Sequence, residues 1–296
     1  MSAKITGHTS ICMIVGDPIK FTLSPAMHNA AYRAMGIDDK FVFVCCEVGR
    51  EHTLAIADFV RVMGVRGLTI ANPHNTRIIQ YLDEVDPVAK LIGSVNTVVN
   101  QKNRLIGYNT DWIGAVTALD RITTLEKKKV AILGAGGAAR AIAFGLRERG
   151  SDISIFARDI DKASGLARLV GAAAFALEDI AGVADHDILV NATPIGKSPF
   201  QDISLVPASY LNSDQVVMDA VYLPMKTRLL VEAEKIGAKI VPGMEMLLHQ
   251  GAEQFELHTG CKAPLDTMRG SLLSIFESRS CECPGTGNWG SGPRRC

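Results

Sequence analysis

Short apolar runs that stop at Gly, Pro, Asn or Asp alternate along the chain with longer segments whose apolar residues recur at helical spacing. That alternation predicts strand, helix, strand, helix, and with it an α/β architecture with mostly parallel sheets. In the first half, strands are expected at 11–15, 41–45, 67–70, 95–100 and 104–107. After the first strand, Ser24 suits a helix N-cap, Pro25 the first helical position and Gly36 the C-terminal cap. Met27, Ala30, Ala31, Ala34 and Met35 keep the helical period and are expected on its core side. Further helices are expected at 51–63 and from Asp111 onward, the latter with Ile113, Val116 and Leu119 inward.

A charged stretch, Leu125-Glu126-Lys127-Lys128-Lys129, precedes a second series of strands and helices that ends with two helices at 244–258 and 264–277. Its first strand, 130–133, runs into Gly134-Ala135-Gly136-Gly137-Ala138-Ala139 and an Ala-rich helix. This is GxGxxA spacing between a strand and a helix, the pattern of a Rossmann-type dinucleotide-binding unit. Gly134 permits the tight turn, Gly136 lets a pyrophosphate approach the backbone, and Ala139 allows close helix–strand packing. Free N–H groups at the helix N-terminus then meet the phosphates. The next strand ends in Ala157-Arg158-Asp159, with Lys162 one turn on. Arg158 and Lys162 suit a ribose 2′-phosphate and favour NADP, whereas Asp159 is the kind of residue that favours NAD. As solvated surface charges they would carry no such meaning.

Bulk properties narrow the field. A length of 296 residues suits two domains. Lys+Arg and Asp+Glu both number 31, so no basic excess points to nucleic acid. No apolar run is long enough to span a bilayer, and the first residues lack the pattern of a signal peptide, so a cytoplasmic protein without a membrane partner is expected. Of seven cysteines, Cys12, Cys45 and Cys46 lie in apolar strand-like runs and read as buried free thiols. Cys281, Cys283 and Cys296 lie in a Gly-, Pro- and Ser-rich segment that reads as a disordered tail, 279–296, with no metal site expected.

Several motifs together resemble the shikimate/quinate dehydrogenase family over residues 11–276. GDPIKFTLSPAMHNAA resembles its opening signature, GSVNT its substrate-binding asparagine motif, and GYNTD the motif of its catalytic aspartate. GAGGAARA resembles its nucleotide loop; NATPIG and DAVYLPMKT resemble its nicotinamide-side segments, and GMEMLLHQGAEQFELHTG its closing pattern. The resemblance implies a three-layer α/β substrate domain, 1–112, completed by helices in 244–278, and a Rossmann domain, 113–243, with the active site in the cleft between them. It implies reversible hydride transfer between NADP (or NAD) and 3-dehydroshikimate, with a small polyol carboxylate of the shikimate or quinate class as substrate. Thr22 and Ser24 would hold the substrate carboxylate; Thr69, Asn96, Asp111, Tyr222 and Gln250 would complete the substrate site. Gly134, Ala135, Gly136, Gly137, Ala138, Arg158, Lys162, Thr193 and Gly243 would serve the cofactor. A monomer or homodimer is compatible with all of this.

Hydride arriving at a carbonyl carbon leaves an oxyanion, which needs a nearby proton donor. Asp111, at a helix start whose dipole favours its anionic form, takes the catalytic role by resemblance. The family pattern G-x-N-V-T-x-P-x-K supplies a lysine partner, but here Thr69, Ala71 and Asn75 stand for its asparagine, threonine and lysine. A carboxamide donates hydrogen bonds but delivers no proton near neutral pH. Adjacent His74 titrates there but would need a rearranged loop to stand in. The expectation is an enzyme of this family that is slow or redirected; the alternative is a module that binds cofactor and ligand without turnover.

Overall fold

The computed structural model describes residues 5–280. Its first unit contains β1 (Ser10–Gly16), α1 (Ser24–Ala34), β2 (Phe41–Glu47), α2 (Thr53–Val62), β3 (Gly67–Ile70), β4 (Glu84–Val85), α3 (Pro87–Ile92), β5 (Thr97–Gln101) and β6 (Arg104–Tyr108). There follow α4 (Asp111–Asp120), β7 (Lys129–Leu133), α5 (Gly137–Glu148), β8 (Asp152–Ala157), α6 (Ile160–Val170), β9 (Ala173–Ala176), β10 (Ile188–Asn191) and β11 (Val216–Asp219). The chain continues through α7 (Arg228–Lys235), β12 (Lys239–Val241), α8 (Gly243–Thr259) and α9 (Leu265–Ser280).

The first sheet has the order β2-β1-β3-β5-β6-β4. β1 is parallel to β2 and β3, and β5 is antiparallel to β3 and β6. The two-residue alternation of β1 divides its side chains between two cores. Met13 and Val15 pack with Ile56 and Val60 of α2 and Ala89 of α3. Cys12 and Ile14 pack with Met27 of α1, Leu248 and Phe255 of α8, and Leu272 of α9. The result is three layers, and the late helices α8 and α9 cover the sheet that the early strands build.

The second sheet is wholly parallel, in the order β12-β11-β10-β7-β8-β9. Strand order reverses between β7 and β10, and in doubly wound sheets ligands bind beyond the strand ends at that reversal. Helices α4, α5 and α6 cover one face and α7 the other. The two units meet along α4, which lies between α8 and α5. A Cβ on Gly114 would stand 2.6 Å from the Met246 carbonyl oxygen, and one on Gly145 2.7 Å from Val116 Cγ2. Glycine at both positions lets the three helices approach this closely.

Several local expectations are corrected. Ser24 is the first residue of α1, Leu23 is the N-cap, and no side chain caps this end. The inward face of α1 carries Met27, His28, Ala31 and Tyr32, while Ala34 and Met35 are exposed. His28 displaces the expected apolar pattern because its ring stacks on Phe43 at 4.3 Å, and Tyr32 packs on Phe255. Cys12 is buried, but Cys45 and Cys46 are exposed, because β2 is an edge strand whose later residues lie uncovered. The expected helix at 51–63 opens as a 3-10 turn before α2. The tail cysteines Cys281, Cys283 and Cys296 lie outside the described residues.

Candidate active site

Asn96 lies just before β5, where Thr110 and Asp111 at the start of α4 and Gln250 of α8 converge on it. Asn96 Nδ2 donates to Asp111 Oδ1 at 2.8 Å, Thr110 Oγ1 at 3.0 Å and Gln250 Oε1 at 3.4 Å. Asn96 Oδ1 accepts from the Thr110 N–H at 2.8 Å and from Thr97 Oγ1 at 2.9 Å. A second layer extends the network: Gln254, one turn after Gln250, donates to Thr97 Oγ1 and accepts from Thr69 Oγ1, both at 3.1 Å. Thr69 thus spends its hydroxyl on α8.

Asp111 is half-buried. Burial pushes its carboxyl up to about 6, and the Asn96 hydrogen bond opposes this without cancelling it. Desolvation thus outweighs the helix end in setting the direction of the shift, while a carboxyl at about 6 is still largely anionic at neutral pH. Among the described residues no Lys, Arg or His comes within 4.0 Å of its carboxylate.

Thr22 and Ser24 stand together at the start of α1, with Thr22 Oγ1 donating to Ser24 Oγ at 3.3 Å. Tyr222 packs against the core beneath α1 and α8, so the segment following β11 reaches the first unit. His74 is fully buried: Nδ1 lies 2.8 Å from Thr53 Oγ1 and Nε2 2.8 Å from the Val48 carbonyl. Both ring nitrogens are used internally, so His74 presents neither to the cleft. Asn75 points elsewhere again. Its main-chain carbonyl accepts from Val95 N–H at 2.8 Å, and its side-chain Nδ2 lies 2.7 Å from where a Cβ on Gly137 would sit.

The glycine loop has the shape its spacing predicts. Gly134 has φ +108°, and a Cβ there would lie 3.1 Å from Thr193 Cγ2. Gly136 has open space around its Cβ position, with no atom within 4 Å. Gly137 and Ala138 open α5, and Ala139 is buried against the sheet. Thr193 donates to Asn191 Oδ1 at 2.7 Å. Gly243 sits under the chain after β11, where a Cβ would be 2.5 Å from the Val221 carbonyl oxygen. Asp219 ties these segments together. Its carboxylate accepts from Thr227 Oγ1 at 2.6 Å, Val221 N–H at 2.9 Å and Asn191 Nδ2 at 2.9 Å. Burial pushes Asp219 up to about 7.

At the end of β8, Asp159 caps α6 through the Lys162 N–H and pairs with the Lys162 ammonium at 2.7 Å. Its acidic side chain thus has a structural use. Arg158 is exposed and has no ion-pair partner among the described residues. The sequence reading missed Gln254, Thr110 and Asp219. Gln254 was detectable, because residues four apart share a helix face; Asp219 opens the DAVYLPMKT motif, but nothing local marks it as the tie between these segments.

The profile described as the shikimate dehydrogenase substrate binding domain matches residues 14–98. The shikimate/quinate 5-dehydrogenase profile matches 117–216, and the shikimate 5′-dehydrogenase C-terminal domain profile matches 243–273. A shikimate dehydrogenase (NADP(+)) of Methanobrevibacter smithii is 42% identical over 283 residues, covering 92% of this chain and 99% of that protein. The structure of shikimate 5-dehydrogenase from Listeria monocytogenes in complex with shikimate and NAD superposes with TM-score 0.84 at 36% identity, covering 92% of this chain and 99% of that one. That of Thermus thermophilus in complex with NADP(H) and shikimate gives 0.84 at 34%, covering 90% and 99%. With profiles matching in both units and relatives this similar over nearly the whole length, the chain belongs to the shikimate/quinate dehydrogenase family.

Proposed function

We propose that this protein is an NADP-dependent oxidoreductase that interconverts 3-dehydroshikimate and shikimate. The observation that carries the reading is the Asn96–Asp111–Gln250 network beside a glycine loop of dinucleotide-binding shape. The name of the Methanobrevibacter smithii relative supports NADP, and so does the unpaired Arg158, whose guanidinium suits a 2′-phosphate. Gly134, Gly136, Gly137 and the N-terminus of α5 would hold the pyrophosphate, with Thr193 and Gly243 on the nicotinamide side.

The cofactor, when bound, supplies or accepts the hydride. The chain's own residues orient the ring and move one proton. Thr22 and Ser24 hold the substrate carboxylate; Asn96, Gln250 and Tyr222 address its hydroxyls, with Thr69 behind them holding Gln254. In the reducing direction Asp111, in its acid form, donates a proton to the oxygen as charge develops there. In the oxidising direction its carboxylate takes that proton back. A carboxyl raised to about 6 is well placed for both roles. With Asn75 at the family's lysine position, Asp111 acts without a cationic partner, and turnover is slower than in a lysine-bearing relative.

Asn75 also favours a second reading, a protein that binds both ligands without turnover. Incubation with NADP⁺ and either shikimate or quinate, followed by the absorbance of reduced nicotinamide, separates the two. Reduction with shikimate that disappears in Asp111→Asn supports the enzyme. Tight binding of both ligands by calorimetry with no reduction defeats it.

A further inference from the structure

The network around Asp111 is short of hydrogen-bond donors. Asn96 Nδ2 carries two hydrogens but faces three acceptors: Asp111 Oδ1, Thr110 Oγ1 and Gln250 Oε1. The Thr97 hydroxyl serves Asn96 Oδ1, and the single Thr110 hydroxyl proton is shared between Asn96 Oδ1 at 3.3 Å and Gln250 Oε1 at 3.4 Å. Gln250 Oε1 thus has only long contacts, and none of these donors is left for Asp111. Gln250 directs its own amide to the Leu247 carbonyl at 3.2 Å. An ionised carboxylate offers about four lone-pair sites, yet among the described residues Asp111 accepts one side-chain hydrogen bond.

Charge points the same way. The side chains joined to Asp111 through this network, Asn96, Thr97, Thr110, Gln250, Thr69 and Gln254, are all neutral. Asn75, where the family pattern has lysine, is neutral and turned toward Gly137. A half-buried carboxylate without a counter-ion is costly, and a ligand carboxylate in the same cleft adds like-charge repulsion. An ammonium brings three donors, no acceptor and one positive charge.

Granting the reading that Asp111 faces the substrate, we infer that this site takes a cyclic polyol carboxylate bearing a protonated amine in place of a ring hydroxyl, with Asp111 as its counter-ion and Gln250 Oε1 as a second acceptor. The amine is a recognition group: it holds Asp111 ionised, so the carboxylate takes the carbinol proton as the hydride leaves, and the acid form needed for reduction is reached only at lower pH. Loss of a cation from the protein and gain of one on the ligand leave the charge of the complex as the lysine-bearing pattern would have it.

The test compares shikimate with its analogue in which the hydroxyl next to the reacting carbon is an amine. Both are assayed for NADP⁺ reduction and, by calorimetry on the NADP⁺-loaded protein, for binding. The analogue is expected to bind and react about tenfold better or more, the margin of one charge-assisted hydrogen bond over a neutral one. Asp111→Asn should bring the two affinities together, and Asn75→Lys should invert the preference. Reaction with shikimate at least as good as with the analogue overturns this inference alone. So does a preference that survives in Asp111→Asn. Binding of NADP⁺ with reaction of neither ligand overturns the proposed function as well.

Discussion

Asn75 and Gly137 touch across the cleft, with Nδ2 2.7 Å from the point where a Cβ on Gly137 would stand. The buried Ser94 Oγ lies 3.4 Å from the same point. The segments after β3 and before β5 therefore rest on the first residue of α5, at the edge of the glycine loop. Absence of a side chain at Gly137 is what allows this approach.

The glycines of the loop should respond differently to alanine. At Gly137 the new methyl meets the end of a rotatable side chain, so Asn75 swings aside and stability stays within about 0.5 kcal/mol. At Gly134, with φ +108°, the backbone itself is unsuited to a side chain, and a loss of about 1–3 kcal/mol is expected. Chemical denaturation of both variants checks this; equal losses would show that Asn75 is rigidly held.

Activity should follow the protonation of Asp111. Reduction needs its acid form, so the rate should fall as pH rises through about 6, while oxidation should rise through the same point and level off. Asp111→Asn should lower turnover by about 10²–10⁴-fold in both directions and flatten both profiles. An inflection that persists in Asp111→Asn would assign the proton to another group.

Arg158→Ala should weaken NADP(H) by about 1.5–3 kcal/mol, the usual size of a charge-assisted hydrogen bond, and leave NAD(H) nearly unchanged. Lys162→Ala should matter less, because its ammonium is already paired with Asp159. Titration of both cofactors against both variants is the measurement. Parallel losses for NADP(H) and NAD(H) would remove Arg158 from 2′-phosphate recognition.

Acid sensitivity should trace to buried histidines. His28 and His258 are fully buried, and burial pushes each ring down to about 3. The unfolded chain takes up these protons at the ordinary value of 6.5, so stability falls as pH drops from 6.5 toward 3. Asp219 works in the opposite sense. Its raised carboxyl makes stability fall as pH rises from 3.8 to about 7. Denaturation at pH 5 and pH 7 should show a smaller acid loss in His28→Phe than in wild type, and a larger one in Asp219→Asn. Identical pH responses in all three proteins would contradict both assignments.

Periodicity and turn chemistry were enough to predict alternating strands and helices, the Rossmann loop at 134–139 and the start of α4, because each rests on interactions a few residues apart. Two strands were beyond that reach. β9 is Ala-Ala-Phe-Ala, with little strand propensity, and β4 has only two residues; each exists because a neighbouring strand pairs with it.

At the site, the motifs singled out Asn96, Asp111 and Gln250 as separate residues, and the resemblance aligned Asn75 with the family's lysine. What they do to one another was not. Asp111 lies 15 residues from Asn96, and Gln250 lies 154 from it, so their contact depends on α8 returning over the first sheet. The same packing withdraws water from Asp111 and raises its carboxyl against the pull of its helix end. Likewise His74 and Asn75 are neighbours in sequence, but one turns into the core against Thr53 and the other across the cleft to Gly137. The amino-acid sequence by itself determined which chemical groups are present and the local periods that carry them. Burial, solvent access and long-range partners set a group's charge and direction, and only the tertiary structure decides those.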